Sequence, residues 1–196
     1  MSTSPSSPSP ESPAAGPAAA ALPGYTPGTW TIDPIHSEVA FSVRHLGIAN
    51  VRGRFDAFEA EIVLAEDPLE SSVTAAIQIA SVSTGHEQRD NHIRSEDFLH
   101  AAEFPEMTFR STGVRAADGD GFLVDGELTV RGVTRPVTLD LELIGFGKGY
   151  EGRSVAGFSA TTQISRKAFG VHGGAGGAAL GDTVKITLDV EAGQAS

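Results

Sequence analysis

The chain has 196 residues, 40% of them hydrophobic, which is enough for one domain with a sizeable core. It contains no cysteine, so disulfides and thiolate metal sites are excluded. A formal charge of −11 makes it a poor partner for nucleic acid, whose phosphates reward Lys and Arg, and no apolar run is long enough to span a bilayer.

Residues 1–28 are Pro, Ser, Ala and Gly with scarcely a core-forming side chain. Such a segment cannot bury enough surface to offset its ordering entropy, so it reads as a disordered tail before a folded domain over 29–193. It has no Lys or Arg to begin a signal peptide, and its best apolar run, Ala18–Leu22, is short and bounded by Pro17 and Pro23. That argues for a cytoplasmic location.

From Thr29 the pattern becomes β. Val39, Phe41 and Val43 alternate with small or polar residues, as do Phe58, Ala60, Ile62 and Leu64, then Val73, Ala75, Ile77 and Ile79. Met107 and Phe109 follow, then Phe122, Val124, Leu128 and Val130. Arg131-Gly132 fits a tight hairpin, because Gly permits positive φ. Val137–Leu143, Ala156–Ile164 and Val184–Val190 complete about eight strands, each with one apolar face. Most have no helical spacer between them, so the sheet is antiparallel. Closing it into a barrel removes exposed edges, and about eight strands leave room for packed side chains or one slender ligand. A two-sheet sandwich is the rival architecture. Small residues at inward positions (Ala60, Ala75, Gly126, Ala156, Ala160) either leave space or let large neighbours interdigitate.

Ser81–Pro105 interrupts the alternation. Thr84 and Glu87 have capping-box spacing, and a short polar helix with Arg89, Asp90, His92 and Arg94 follows. Ser95, ahead of Glu96 and Asp97, can cap a second helical turn, and Pro105 bars further helix. Ile93, Phe98 and Leu99 are apolar anchors for docking this insert on the barrel. Its charges either meet a ligand head group at a cavity mouth or form a solvated face, where local ion pairs contribute roughly a few tenths of a kcal/mol.

The six histidines do not converge by spacing: His86 and His92 are poorly placed to share a helix face, and His36 and His45 can meet other groups only through the fold. No metal site and no cofactor are expected. Gly170–Gly181 has Asp182 where a phosphate loop needs Lys, so it reads as a flexible loop, able to serve also as a mobile lid. No nucleophile motif is present, and no catalytic residue is assigned.

Several phrases in order carry a resemblance: Trp30–Ser37, Val39–Leu46, Val51-Arg52-Gly53-Arg54-Phe55, Ser81–Thr84, Arg89–Phe98, Phe104-Pro105, Gly126–Val137 and Ser165-Arg166. Together they resemble the YceI-like family. The resemblance implies a lipocalin-like antiparallel barrel whose elongated apolar cavity binds a polyisoprenoid chain, such as a prenyl lipid or quinone. In such a barrel Phe41, Val43, His45, Phe58, Ala75, Ile77, Phe109, Leu141 and Phe158 are expected against the ligand, with Arg89, Asp90, His92, Phe98 and Phe169 around it. Where the family has an acid after Ser-Arg-x, this chain has Ala168, and any polar contact of that acid is lost. Many family members are secreted, whereas no signal is read here. The partner implied is a polyisoprenoid or other long apolar molecule, with no nucleic acid and no stable membrane insertion; a homodimer is left open. Two alternatives stand beside binding: an enzyme acting on an isoprenoid substrate through Asp90 or His92, and a ligand-free stress-response module.

Overall fold

The computed structural model describes residues 22–117 and 121–195. Eleven strands lie among them: β1 (Gly28–Ile32), β2 (Glu38–His45), β3 (Ala49–Phe55), β4 (Phe58–Leu64), β5 (Ser72–Gln78), β6 (Val82–Ser83), β7 (Glu106–Ala116), β8 (Phe122–Val130), β9 (Val133–Lys148), β10 (Ser154–Ser165) and β11 (Leu180–Gln194). Helix α1 spans Glu87–Arg94. All neighbouring strands are antiparallel, and β1-β4-β5-β7-β8-β9-β10-β11 close on themselves through β11–β1 pairing. The fold is therefore an eight-stranded barrel with a short helical insert, not a sandwich.

Alternation does not announce every member of the ring. Only Trp30 and Ile32 of β1 face inward, too few for a period to register, yet β1 closes the barrel. Strand β11 serves both sides: Ala192–Gln194 pair with β1, while Leu180–Asp189 pair with β2, which carries β3 and β6 beyond it. Bulges also break the parity of β7 and β9. Register slips between Ser111 and Gly113, so Phe109 and Val114 both face in, and it slips opposite Gly157/Phe158, so Leu143 and Phe146 both face in. Ile144 is the residue left outside, 63% exposed.

The tail expectation needs a correction at its boundary. Residues 1–21 lie outside those described, but residues 22–28 belong to the fold. Tyr25 donates its hydroxyl to the Ala65 carbonyl at 2.7 Å, and both Tyr25 and Trp30 meet Phe146 edge-on. These three rings, with Leu64, Ala156 and Ala192, form a core cluster at one end of the barrel.

The capping of the insert also differs from expectation. His86 is the N-cap of α1, and Gly85 (φ 76°) turns the chain between Thr84 and the helix. Thr84 therefore faces the helix flank instead of its first N–H groups. Ser95 ends α1: its hydroxyl donates to the His92 carbonyl at 2.7 Å, and no second helix follows, only turns.

Candidate functional site

Inward side chains from both ends of the ring enclose a cavity of about 580 Å³, within the range that holds a small ligand. Phe41, Val43 and His45 on β2, Phe58 on β4, Ala75 and Ile77 on β5, Phe109 on β7, Leu141 on β9 and Phe158 on β10 all line it, as do Phe98, Phe169, Arg89 and His92. Along β9 the lining runs from Val137 to Phe146, about 30 Å of strand. Ala60 and Ala75 face one another across β4 and β5 and leave the lumen unobstructed there. Gly126 is different: the Phe109 ring lies on it, so close that a Cβ would overlap the ring, and its space is filled.

Tyr25, Trp30 and Phe146 pack together at one end. The other is built from α1, the β2–β3 hairpin and the glycine-rich loop, where the lining residues Arg89, His92 and Gly176 are exposed to solvent. That combination marks the mouth. The His92 ring sits edge-on to Phe98, its Nε2 2.9 Å from Asp97 Oδ2. Arg89 donates through Nε to Thr84 Oγ1 and through Nη2 to the Thr84 carbonyl, at 2.7 and 2.9 Å. Nη1 has no partner among the described residues and stays available at the rim.

Asp90 corrects the expected site. It does not line the cavity. Its carboxylate is buried and accepts from both the backbone N–H and the hydroxyl of Thr84, tying α1 to the strand before it. Helical geometry turns position 90 away from the rim that Arg89 occupies. Arg94 is likewise structural, donating to the Ala80 and Val82 carbonyls.

The glycine-rich segment is not a free loop. Residues Gly174–Ala179 form a 3-10 turn around the Arg166 guanidinium, which is buried. Arg166 donates to the carbonyls of Val171, His172, Gly177, Leu180 and Gly181 at 2.8–3.0 Å. A cation with five carbonyl acceptors fixes the segment, and the lid expectation fails for that reason. Asp182 supports the arrangement: it accepts from the Ser165 hydroxyl and the Lys167 N–H, and both bonds lower its carboxyl pKa. At Ala168 the backbone makes the polar contacts, its N–H to Ser165 Oγ and its carbonyl from Arg135.

The fold brings one histidine into a charged group that spacing alone leaves apart. His36 Nδ1 is 3.0 Å from Asp33 Oδ2 and 3.9 Å from Glu191 Oε1, at the surface. The hydrogen bond to Asp33 comes first among the causes that raise the imidazole pKa, and it lowers that of Asp33. Asp33, His36 and Glu191 bring three side-chain ligand atoms within 4.8 Å of one another, an arrangement that exposed acidic groups commonly adopt without an ion.

Sequence reasoning missed Tyr25, Phe146 and the Arg166 cradle. Phe146 was hidden by the bulge; Arg166 was visible only as part of the Ser-Arg phrase.

A family model for the YceI-like domain matches residues 30–192. Protein YceI of Escherichia coli O157:H7 is 40% identical over 157 residues, covering 80% of this chain and 81% of that protein. The crystal structure of the Campylobacter jejuni YCEI protein superposes with a TM-score of 0.70 at 33% identity, over 78% of this chain and 90% of that one. A polyisoprenoid binding domain from Saccharophagus degradans shares the fold with a TM-score of 0.64 at 16% identity, over 87% of this chain and 100% of that one. With its barrel, its apolar cavity and these matches over most of its length, the chain belongs to the YceI-like family.

Proposed function

We propose that this barrel binds a long, slender apolar chain, a polyisoprenoid or an isoprenoid quinone, and stores or carries it. The observation that carries this reading is the cavity of about 580 Å³ with walls that are almost wholly hydrocarbon. Burying one CH₂ contributes about 0.8 kcal/mol, so a few isoprene units supply roughly 10 kcal/mol before ordering costs are subtracted. The Saccharophagus degradans neighbour, a polyisoprenoid binding domain, supports the same ligand class. Arg89 and His92, exposed at the mouth, and His45, which also lines the cavity, would meet the polar head of the chain. The enzyme alternative loses one of its two candidate groups, since Asp90 is sealed under Thr84 and cannot reach the cavity.

Mass spectrometry of an organic extract of the purified protein should find a polyisoprenoid or quinone in stoichiometric amount. The control is Ala75→Trp. Ala75 pairs with Ala60 and Phe109 and faces the cavity, so an indole there would occupy the ligand's space. The delipidated variant should fold with little loss of stability and extract empty. A packed interior would instead make it lose about 1–3 kcal/mol or more through overpacking. A stable variant that still carries the lipid would sink the assignment of the cavity.

A further inference from the structure

The β2–β3 hairpin ends in two aliphatic side chains held in water: Leu46 is 64% exposed and Ile48 82%. The turn is tight, with the Ile48 N–H donating to the His45 carbonyl at 3.2 Å. Leu46 and Gly47 have φ of 51° and 72°, a turn whose first central position suits Asn, Asp or Gly and strains a leucine. The other non-glycine residues with positive φ among those described have contacts that account for them. Arg131 donates to the Glu96 and Phe98 carbonyls, and His100 stacks edge-on with Phe104. The Leu46 side chain has neither hydrogen-bonding capacity nor a place in a core cluster. Its backbone is nevertheless fixed, the N–H donating to the Ala179 carbonyl of the glycine-rich segment at 2.8 Å.

This rigid apolar tip stands at the cavity mouth: His45 and Val51, on either side of it, line the cavity, as does Leu180, which pairs with His45. The outer wall behind it is basic. Arg44 is exposed beside the turn, and Arg52 and Lys185 both pair with Ser42, forming a row across three strands. None of these three cations is in an ion pair among the described residues, although the chain carries a net charge of −11. Asp182, the acid on this end of β11, is engaged by Ser165 and Lys167.

We propose that the β2–β3 tip seats the barrel mouth on an anionic bilayer surface, with Leu46 and Ile48 at the acyl boundary and Arg44, Arg52 and Lys185 over lipid phosphates. Exposed aliphatics flanked by cations are the combination that binds an anionic interface. A second copy of the chain fits worse, because a symmetric tip-to-tip contact would set these like charges against each other. The proposal rests on the cavity's reading as a site for an apolar chain, since such a chain reaches a protein from a bilayer.

Flotation of the full chain with phosphatidylcholine vesicles, with and without phosphatidylglycerol, tests it. The wild type should float with phosphatidylglycerol vesicles and release at high salt. Ile48→Ser should weaken partitioning about tenfold, and Leu46→Asn similarly. Asn suits the turn, so Leu46→Asn should melt no lower than wild type, which separates lost docking from lost folding. Arg44→Gln and Arg52→Gln should each weaken binding about fivefold on anionic vesicles only. A wild type that does not float, tip variants that float normally, or a tip-dependent dimer without flotation would each overturn the proposal. N-phenylnaphthylamine fluorescence in vesicle-free solution reads the cavity separately and should be unchanged in all four variants. Flotation without probe binding would remove the cavity reading and leave the docking surface; probe binding without flotation would remove the docking surface alone.

Discussion

Two phenylalanine rings lie back against the barrel wall because glycine faces them. Phe41 lies over Gly53 and Phe109 over Gly126; a Cβ would come 2.5 Å from Phe41 Cζ at the first and would overlap the Phe109 ring at the second. At Gly126 a Cβ would also meet the Arg110 carbonyl at 2.7 Å, so substitution there strains the backbone. At Gly53 the obstacles are the far end of the Phe41 ring and the Thr84 methyl group. Gly53→Ala should therefore swing the Phe41 ring into the lumen, weaken binding of an apolar probe several-fold and cost about 1 kcal/mol in a urea melt. Unchanged probe affinity would show that the ring finds another place along the wall. His36 allows a second residue-scale test. Its pKa is raised by the Asp33 hydrogen bond, then by the charges of Asp33 and Glu191. A raised folded-state value means that the stabilisation is complete below the ordinary imidazole value, about 6.5, and is lost as pH rises through the folded value. The His36 imidazole should titrate above 6.5 by NMR, and Asp33→Asn should lower its midpoint. An unshifted wild-type midpoint would refute the pairing.

Among the elements, the segment after β10 shows how a single side chain can order a run of glycines. Gly170, Gly173 and Gly174 adopt positive φ, and the carbonyls of Gly177 and Gly181 turn toward Arg166 along with those of Val171, His172 and Leu180. Glycine makes the wrap sterically possible at an entropic cost, and the buried guanidinium offsets that cost. Arg166→Ala would leave these carbonyls without their shared donor. It should destabilise the protein by on the order of 3–5 kcal/mol and speed amide exchange over residues 171–181 ahead of the barrel strands. Arg166→Lys should recover only part of that loss, because an ammonium cannot span five acceptors in the plane of a guanidinium. Amide protection in Arg166→Ala equal to wild type would mean that the segment is held by its contacts with α1 instead.

At the scale of the whole molecule, the barrel trades core packing for a cavity. Its buried residues fall into separate clusters around the wall: one about Trp30, one about Phe109, one about Phe55 and Val82, and one about Phe169 under the mouth. An occupant joins these clusters through the lumen and so stabilises the folded state by mass action. Adding a short isoprenoid alcohol at a hundredfold its Kd should raise stability by about 2.7 kcal/mol. Ala75→Trp should show no such gain. A wild-type midpoint indifferent to the added chain would argue against binding in the lumen.

The amino-acid sequence by itself determined the class of fold, because period-two alternation survives wherever one face is buried. Val39–Val43, Val73–Ile79 and Val184–Val190 were legible as strands for that reason, and the insert at Ser81–Pro105 was legible as their interruption. It also placed Phe41, Ala75 and Phe158 on the inside, since parity alone assigns a face. Only the tertiary structure decided the rest. Ring closure depends on β1 meeting β11, a pairing between Trp30 and Gln194 that no local pattern encodes. Bulges in β7 and β9 reset parity, and a single inserted residue is invisible to alternation. Asp90 and Arg89 are neighbours in the chain, yet one is sealed under Thr84 and the other lines the mouth. That separation follows from the rotation between successive helical positions and from the face α1 presents to the barrel, which is fixed by Ile93, Phe98 and Leu99 packing below it.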